Sequence, residues 1–291
     1  MKNSNLVSII IITFGRKNIY DLINSLLNQK IDLIKIQIII ISEVVLEKDK
    51  ISHDYIKVYY LESGKGLGFY RNRGIDFSEG SILVFIDDDE YISNEYYLIN
   101  LIAPIISGKE SITTSGYLIP LNQGYIADSV SSLGFPGGGS IGFKRMWNVN
   151  KKGYTAHICT GNFAIKKEII NSISGFDENL KFGNEDIDLA ERLMANNYKI
   201  KYIEDATINH FPRKNLIEFI KWHIKRGRAV HEFKKVRKIK NKYYKNRFNS
   251  TIFILKKFIF TKFFPMIIFL IIIQYFSNII GYFLESIKGS K

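Results

Sequence analysis

The 291-residue chain is 46% hydrophobic and 24% charged, a globular balance that excludes a disordered chain and leaves room for one large domain, or a domain with an appendage. Its net charge of +13 would suit a nucleic-acid binder if it were spread evenly, but residues 1–210 hold 22 basic and 25 acidic side chains and residues 211–291 hold 19 and 3. A single cysteine, Cys159, excludes an internal disulfide framework and a Cys-rich zinc site and suits a reducing compartment.

The N-terminal MKNSNLVSIIIITFGR carries an apolar run too short for an export signal. Residues 7–13 are nearly continuous Ile and Val, as expected of a strand buried on both faces. Ile19, Leu22, Ile23, Leu26 and Leu27 then recur at helical spacing. Further strands are predicted at 36–41, 56–61 and 82–86, with a helix over 67–77. Strands alternating with crossovers predict an α/β fold in which ligands sit beyond the carboxyl ends of the strands. Functional residues are therefore expected just after each apolar run.

Past Gly108 the alternation loosens, and residues 124–153, with FPGGGSIG inside, predict a mobile loop. Regular structure resumes with a strand at 161–165, a helix from Lys167, the turn GFDE, a helix of about eleven residues from Glu185, and a strand around 199–203. Residues 216–248 place apolar side chains near helical spacing between lysines and arginines. Residues 263–284 then run without a charge, about 33 Å as a helix against a hydrocarbon thickness of about 30 Å. Gln274, Ser277, Asn278 and Gly281 form one polar stripe on it, which would face a partner helix in a spanning segment or the headgroups in an in-plane one.

Three runs carry chemistry. Asp87-Asp88-Asp89-Glu90 follows a predicted strand directly. Adjacent carboxylates repel, and a hard divalent cation such as Mn2+ or Mg2+ is the fitting counter-charge; a solvated acidic turn is the plain alternative. In an extended segment Asp87 and Asp89 share one face and Asp88 takes the other. The run KGLGFYRNRG offers glycines before a helix start and two arginines, Arg71 and Arg73, for a phosphate, or simply a solvated helix face. In GNEDID, Asn184 suits an N-cap, and Glu185 and Asp186 suit a helix dipole or a catalytic base.

Taken in order, VSIIIITFGR, KGLGFYRNRG, ILVFIDDDEY, TGNFAIKK, GFDENLKFGNEDIDLAERL and the histidine of ATINHF resemble the nucleotide-sugar-dependent glycosyltransferases of family 2, over roughly residues 6–210. The resemblance implies a GT-A type mixed sheet flanked by helices and an inverting single displacement. It implies that Asp87 and Asp89 are the DxD residues and, with His210, metal ligands for Mn2+ or Mg2+. It makes Asp186 the base, with Glu185 its neighbour and substitute. Thr13, Phe14, Arg16, Glu43, Arg71, Asp87 (near the ribose) and Asp88 would bind the donor, and Gly161 and Asn162 would lie beside the donor sugar or the acceptor. One departure falls after the second strand, where the family usually reads valine-aspartate-aspartate and this chain reads Ile41-Ser42-Glu43. The residue holding the base is then Ser42 or Glu43, depending on register, and the nucleobase stays open.

Residues 211–262 hold 17 basic and 2 acidic side chains ahead of the apolar segment, and each cation near an anionic leaflet contributes about 1 kcal/mol. This predicts a basic juxtamembrane helical region at 211–262, a spanning or in-plane membrane helix at 263–284 and a short tail at 285–291. The expected partners are a nucleotide-sugar donor, a glycan or lipid-linked acceptor and an anionic membrane surface, with no nucleic acid. A homo-oligomer formed through the C-terminal helices stays open. The positive flank predicts a catalytic domain on the cytoplasmic side of the cell inner membrane. Competing readings are a nucleotidyltransferase that makes a nucleotide-sugar, which leaves the motifs of residues 161–193 without a role, and a non-catalytic membrane scaffold.

Overall fold

The computed structural model describes residues 6–31, 35–134, 144, 148–237 and 241–288. The strands β1 (Leu6–Thr13), β2 (Lys35–Ser42), β3 (Ile56–Tyr60) and β4 (Ile82–Asp87) lie parallel in the order β3-β2-β1-β4. The chain moves outward from β1 to β3 and then returns to the other side of β1. That reversal leaves a crevice at the carboxyl ends of β1 and β4, where Ile12 pairs with Asp87. The antiparallel β9 (Asn162–Lys166) adds to β4, and β6 (Ile112–Thr114), β10 (Ile200–Tyr202) and β8 (Tyr154–Thr155) complete the sheet in that order. A second, small sheet takes the order β5 (Glu90–Tyr91), β11 (Ile208–His210), β7 (Tyr117–Leu118). Its pairing of His210 with Glu90 carries a residue from late in the chain to the end of the acidic run.

Helices cover both faces, as the continuous Ile/Val strands require. On one side α1 (Ile19–Leu27) and α3 (Tyr97–Ile106) pack on Ile9, Ile11, Ile38 and Val84. On the other, α2 (Leu67–Phe77), α5 (Lys167–Ser172) and α6 (Glu185–Ala195) contribute Ile75, Ile169, Leu189 and Leu193 against Ile10, Leu83, Phe85 and Phe163. The glycines of α2 serve packing rather than a phosphate cradle. A Cβ at Gly74 would overlap Ile10, and one at Gly68 would lie 2.8 Å from the Asp177 carbonyl.

The expected loop at 124–153 is corrected in part: it contains the helix α4 (Tyr125–Ser132), whose Ala127 and Val130 are buried. FPGGGSIG lies outside the described residues. The physical reason for α4 is distant in sequence, because Val130 and Leu133 complete a separate core with Phe219, Ile254, Ile267 and Leu270.

Those partners lie on α7 (Leu216–Val236), α8 (Asn241–Phe258) and α9 (Phe264–Lys288). α9 packs along α7 more extensively than any other two elements pack together. Gly227 and Gly281 permit it, because a Cβ on either would run into the backbone of the facing helix, at Asn278 and Ile224 respectively. The polar stripe of α9 faces α7: Ser277 and Gly281 are buried and Asn278 reaches His223 at 3.3 Å. α7 in turn docks on the sheet domain. Glu232 accepts the Phe182 N–H at 3.0 Å, Arg228 stacks on Phe182 at 3.8 Å, and Arg237 pairs with Asp188 at 2.8 Å. Residue 210 therefore does not separate two independently packed units.

Alanine is the better helix former by about 1 kcal/mol, yet overpacking costs about 1–3 kcal/mol and the obstacle here is main chain. Gly281→Ala is expected to lower the thermal midpoint followed by circular dichroism, against helix propensity.

Candidate active site

The crevice is organised by one buried arginine. Arg71, only 2% exposed, donates from Nη2 to Asp87 Oδ1 at 2.9 Å and from Nη1 to Glu185 Oε1 at 2.5 Å. Burial works against its charge, but Asp87 and Glu185 outweigh burial and raise its pKa. Arg71 thus joins the end of β4 to the first turn of α6, and it is neither a solvated residue nor a free nucleotide ligand. Arg73 does sit on an accessible face, paired with Asp76 and Glu178. Glu185, buried against Arg71, is likewise committed to the bridge.

Asp88, 2% exposed, accepts from the Thr13 hydroxyl at 2.7 Å, the Phe14 N–H at 3.3 Å and Arg16 Nη1 at 3.0 Å. Burial pushes its carboxyl up to about 6 against the pull of Arg16. Thr13 is fully buried, so it and Asp88 form a strut that fixes the turn after β1 rather than lining an open pocket. Phe14 and Arg16 are what that turn presents. The Phe14 ring meets Tyr70 edge-on at 5.9 Å. Tyr70 donates to Glu43, which also accepts the Gly64 N–H at 3.0 Å. The Ser42 hydroxyl is spent on the Val44 carbonyl at 2.6 Å, so Glu43 is the residue of the departed motif that reaches the Phe14–Tyr70 face.

Asp89 faces Arg16 Nη1 at 2.5 Å and His210 Nε2 at 3.3 Å. His210 Nδ1 lies 2.7 Å from the Phe211 carbonyl. A carbonyl only accepts, so Nδ1 donates in that contact and Nε2 is the ring nitrogen turned toward the Asp89 carboxylate. A backbone-oriented imidazole beside a carboxylate is the donor set of a divalent-metal site. Among the described residues no three His, Cys, Asp or Glu side chains converge on one point. The physical reason is that Asp87, expected as a third ligand, has given Oδ1 to Arg71. One carboxylate and one imidazole, completed by phosphate oxygens and water, still fit Mn2+ or Mg2+.

Glu90 is fully buried below this pair and accepts the Asp87 N–H at 3.2 Å. Burial, then Asp87 and Asp89, push its carboxyl well above the usual range. Gly161 explains itself here: a Cβ would overlap Glu90, sit 2.5 Å from the Tyr117 hydroxyl and 2.8 Å from Asp87 Oδ2. Asn162 is corrected from a sugar contact to a structural clamp. Its amide accepts from Tyr97 at 2.9 Å and donates to the carbonyls of Gly116 and Ala206 at 2.9 and 3.0 Å.

Asp186 follows two left-handed residues, Gly183 and Asn184. Asn184 makes no side-chain cap, so its contribution is a sharp turn into α6 rather than the expected hydrogen bond. Asp186 Oδ1 accepts the Ile187 N–H at 2.8 Å. Burial, then neighbouring Glu185, push its carboxyl up to about 6, while Arg226 and Arg71 hold it down. A carboxylate so poised can take a proton near neutral pH.

The residues that sequence reasoning passed over come from the basic tail. Arg213 stacks on Trp222 at 4.1 Å and Arg226 on the same ring at 5.0 Å. Desolvation lowers Arg213 to about 10 despite the attraction of Asp89. Desolvation, with crowding by Arg16, Arg71 and Arg213, also lowers Lys225 against the pull of Glu185. These cations from the tail lie within electrostatic reach of the acidic residues of the crevice. Within a uniformly basic run they carry no positional signal, and the pairing of Arg213 and Arg226 with Trp222 shows only in three dimensions.

Removing one partner of a buried ion pair leaves the other charge uncompensated, at about 3–5 kcal/mol. Arg71→Met is expected to lose at least 3 kcal/mol in urea denaturation, and Arg73→Met, at the accessible face, less than about 1 kcal/mol.

Comparison with known proteins accords with this geometry. Residues 8–174 match the model of glycosyl transferase family 2, and residues 144–214 match that of the N-terminal domain of galactosyltransferase. No curated protein matches the chain. Among solved structures, the mannosyltransferase PcManGT from Pyrobaculum calidifontis, in complex with GDP-Man and Mn2+, is 13% identical with a TM-score of 0.57 over 85% of this chain and 69% of its own. GalNAc-T7 with UDP, GalNAc and Mn2+ is 15% identical with a TM-score of 0.52 over 72% of this chain and 43% of its own. At such identities the likeness is one of fold, a GT-A sheet. The family match extends over more than half the chain, which belongs to glycosyl transferase family 2.

Proposed function

We propose that this glycosyltransferase is a membrane-attached inverting hexosyltransferase. It would move a sugar from a nucleotide-sugar to a hydroxyl of a glycan or lipid-linked acceptor in cell-surface polysaccharide synthesis, on the cytoplasmic side of the inner membrane. The observation that carries the reading is the Asp87–Arg71–Glu185 bridge. It holds a base-like carboxylate, Asp186, and the Asp89–His210 pair at one crevice mouth.

In this reading Asp186 accepts the proton of the acceptor hydroxyl as its oxygen attacks the anomeric carbon. The bond from that carbon to the diphosphate breaks, and the nucleoside diphosphate leaves with the electron pair. Arg213, Arg226 and Arg16 neutralise the charge that develops on it, as fixed cations in a partly desolvated site do most effectively. Phe14 and Glu43 flank the nucleobase. Asp89 and His210 would hold Mn2+ or Mg2+, which supplies Lewis-acid stabilisation of the leaving diphosphate. The structural relatives, one solved with GDP-Man and Mn2+ and one with UDP, GalNAc and Mn2+, support a divalent metal as cofactor.

A thermal-shift screen of UDP, GDP, dTDP and CMP sugars with and without Mn2+ tests the donor site and the open nucleobase together. Asp186→Asn is expected to keep a metal-dependent donor shift and lose transfer by about 10²–10⁴-fold, whereas Asp89→Ala loses both. Near wild-type transfer by Asp186→Asn would remove the base assignment. Donor binding without transfer to any acceptor would favour the scaffold reading.

The sign of the pH dependence follows from the raised carboxyl. Asp186 works only when ionised, so transfer should rise with pH through an acid limb near 6. Arg226 favours the ionised form, so Arg226→Gln is expected to move that limb to higher pH, measured on kcat at saturating donor. An unmoved limb would detach Arg226 from the base.

A further inference from the structure

We propose that α9 attaches the enzyme by lying in the plane of an anionic bilayer surface, with one face inserted, and that it does not span the membrane. This deepens the membrane attachment proposed above and rests on it. By length and composition alone α9 could cross a bilayer. Its packing argues otherwise.

The contacts between α7 and α9 advance together along both helices. His223 meets Asn278, Gly227 approaches Asn278 and Tyr282, and Arg228 bonds Glu285 at 2.7 Å. The two helices thus run side by side in one direction. α7 carries Lys221, Lys225, Arg226, Arg228, Lys234 and Lys235 along this length. A spanning α9 would draw those cations into hydrocarbon or tear apart the glycine contact and the Arg228–Glu285 pair. Isolated charges inside a bilayer are costly and ordinarily face a cavity or a partner.

The face of α9 turned away from α7 is apolar and uncovered. Phe269, Ile272, Phe276, Ile280, Phe283 and Ile287 are 46–63% exposed and follow one another at intervals of three or four, which is a single helical stripe. Lys262 and Lys288, at the two ends of α9, and Lys256 and Lys257, at the end of α8, are exposed. An apolar stripe with lysines at its ends is complementary to a bilayer of anionic headgroups and acyl chains. Seated in this way, α9 would hold α7 and the crevice mouth near the leaflet.

Single-cysteine labelling of the full chain tests the inference, because Cys159 is buried. Lys262→Cys and Lys288→Cys, at the two ends of α9, are bound separately to sealed phosphatidylethanolamine–phosphatidylglycerol vesicles and treated with a membrane-impermeant maleimide. Both are expected to label fully without detergent. Protection of one end until detergent is added means a span and overturns the proposal while leaving membrane attachment intact. Absence of wild-type binding to such vesicles overturns both. The double variant Phe269→Ser, Phe276→Ser is expected to bind these vesicles at least tenfold more weakly with its donor thermal shift unchanged. Unchanged vesicle binding, or a dimer in sedimentation that the same variant dissolves, would assign the stripe to another occupant and overturn the proposal.

Discussion

The fold depends most on the Arg71 guanidinium held between Asp87 and Glu185. The acidic run at the end of β4 and the acidic first turn of α6 would repel each other across a crevice that is partly closed to water. One buried cation with two forked donors satisfies a carboxylate from each. Two elements about a hundred residues apart in sequence are fixed at the distance that one side chain spans. The remaining charge is handled locally by Arg16 on Asp88 and Asp89, while burial raises the pKa of the Glu90 carboxyl beneath them.

The C-terminal helices extend that logic. α7 rests on Phe182 and Asp188 through Arg228, Glu232 and Arg237, one turn of chain before and after the start of α6. Its own placement is set by α9, through the Gly227 and Gly281 contacts and the Arg228–Glu285 pair. Arg228 therefore touches Phe182, just before α6, and the apolar helix at once. A chain of direct contacts leads from the exposed stripe of α9 to the residues flanking Asp186. It would give the proposed membrane seating a physical route to the position of the proposed base.

Much of the fold was legible in the sequence because buried parallel strands leave long Ile/Val runs. Residues 7–13, 36–41, 56–61 and 82–86 were placed within a residue or two of β1 to β4. The acidic run was legible for the same reason, being read as the exit from a strand. What was not legible depends on contacts remote in sequence. α4 is short and rich in serine, and becomes a helix with a buried face only because α7, α8 and α9 cover it. Asn162 and Thr13 have residue types suited to ligands, and their full hydrogen-bond sets show only in three dimensions. Arg71 and Arg73 are two residues apart on one helix, so no local rule could say which is buried.

The charge asymmetry takes on a different meaning once the tail is seen in place. A sheet domain that is slightly acidic and concentrates carboxylates at its mouth is a poor receptor for a diphosphate by itself. Arg213, Lys225 and Arg226 bring positive charge to that mouth from beyond residue 210, and Trp222 fixes two of them by stacking. A desolvated guanidinium such as that of Arg213, which has no salt bridge among the described residues, would keep hydrogen-bonding capacity for an anion. On the proposed reading the tail would be split along its length, its first part completing the site for a charged ligand and its last part, apolar and flanked by lysines, meeting a surface. Cutting the chain at the end of the sheet domain would remove both.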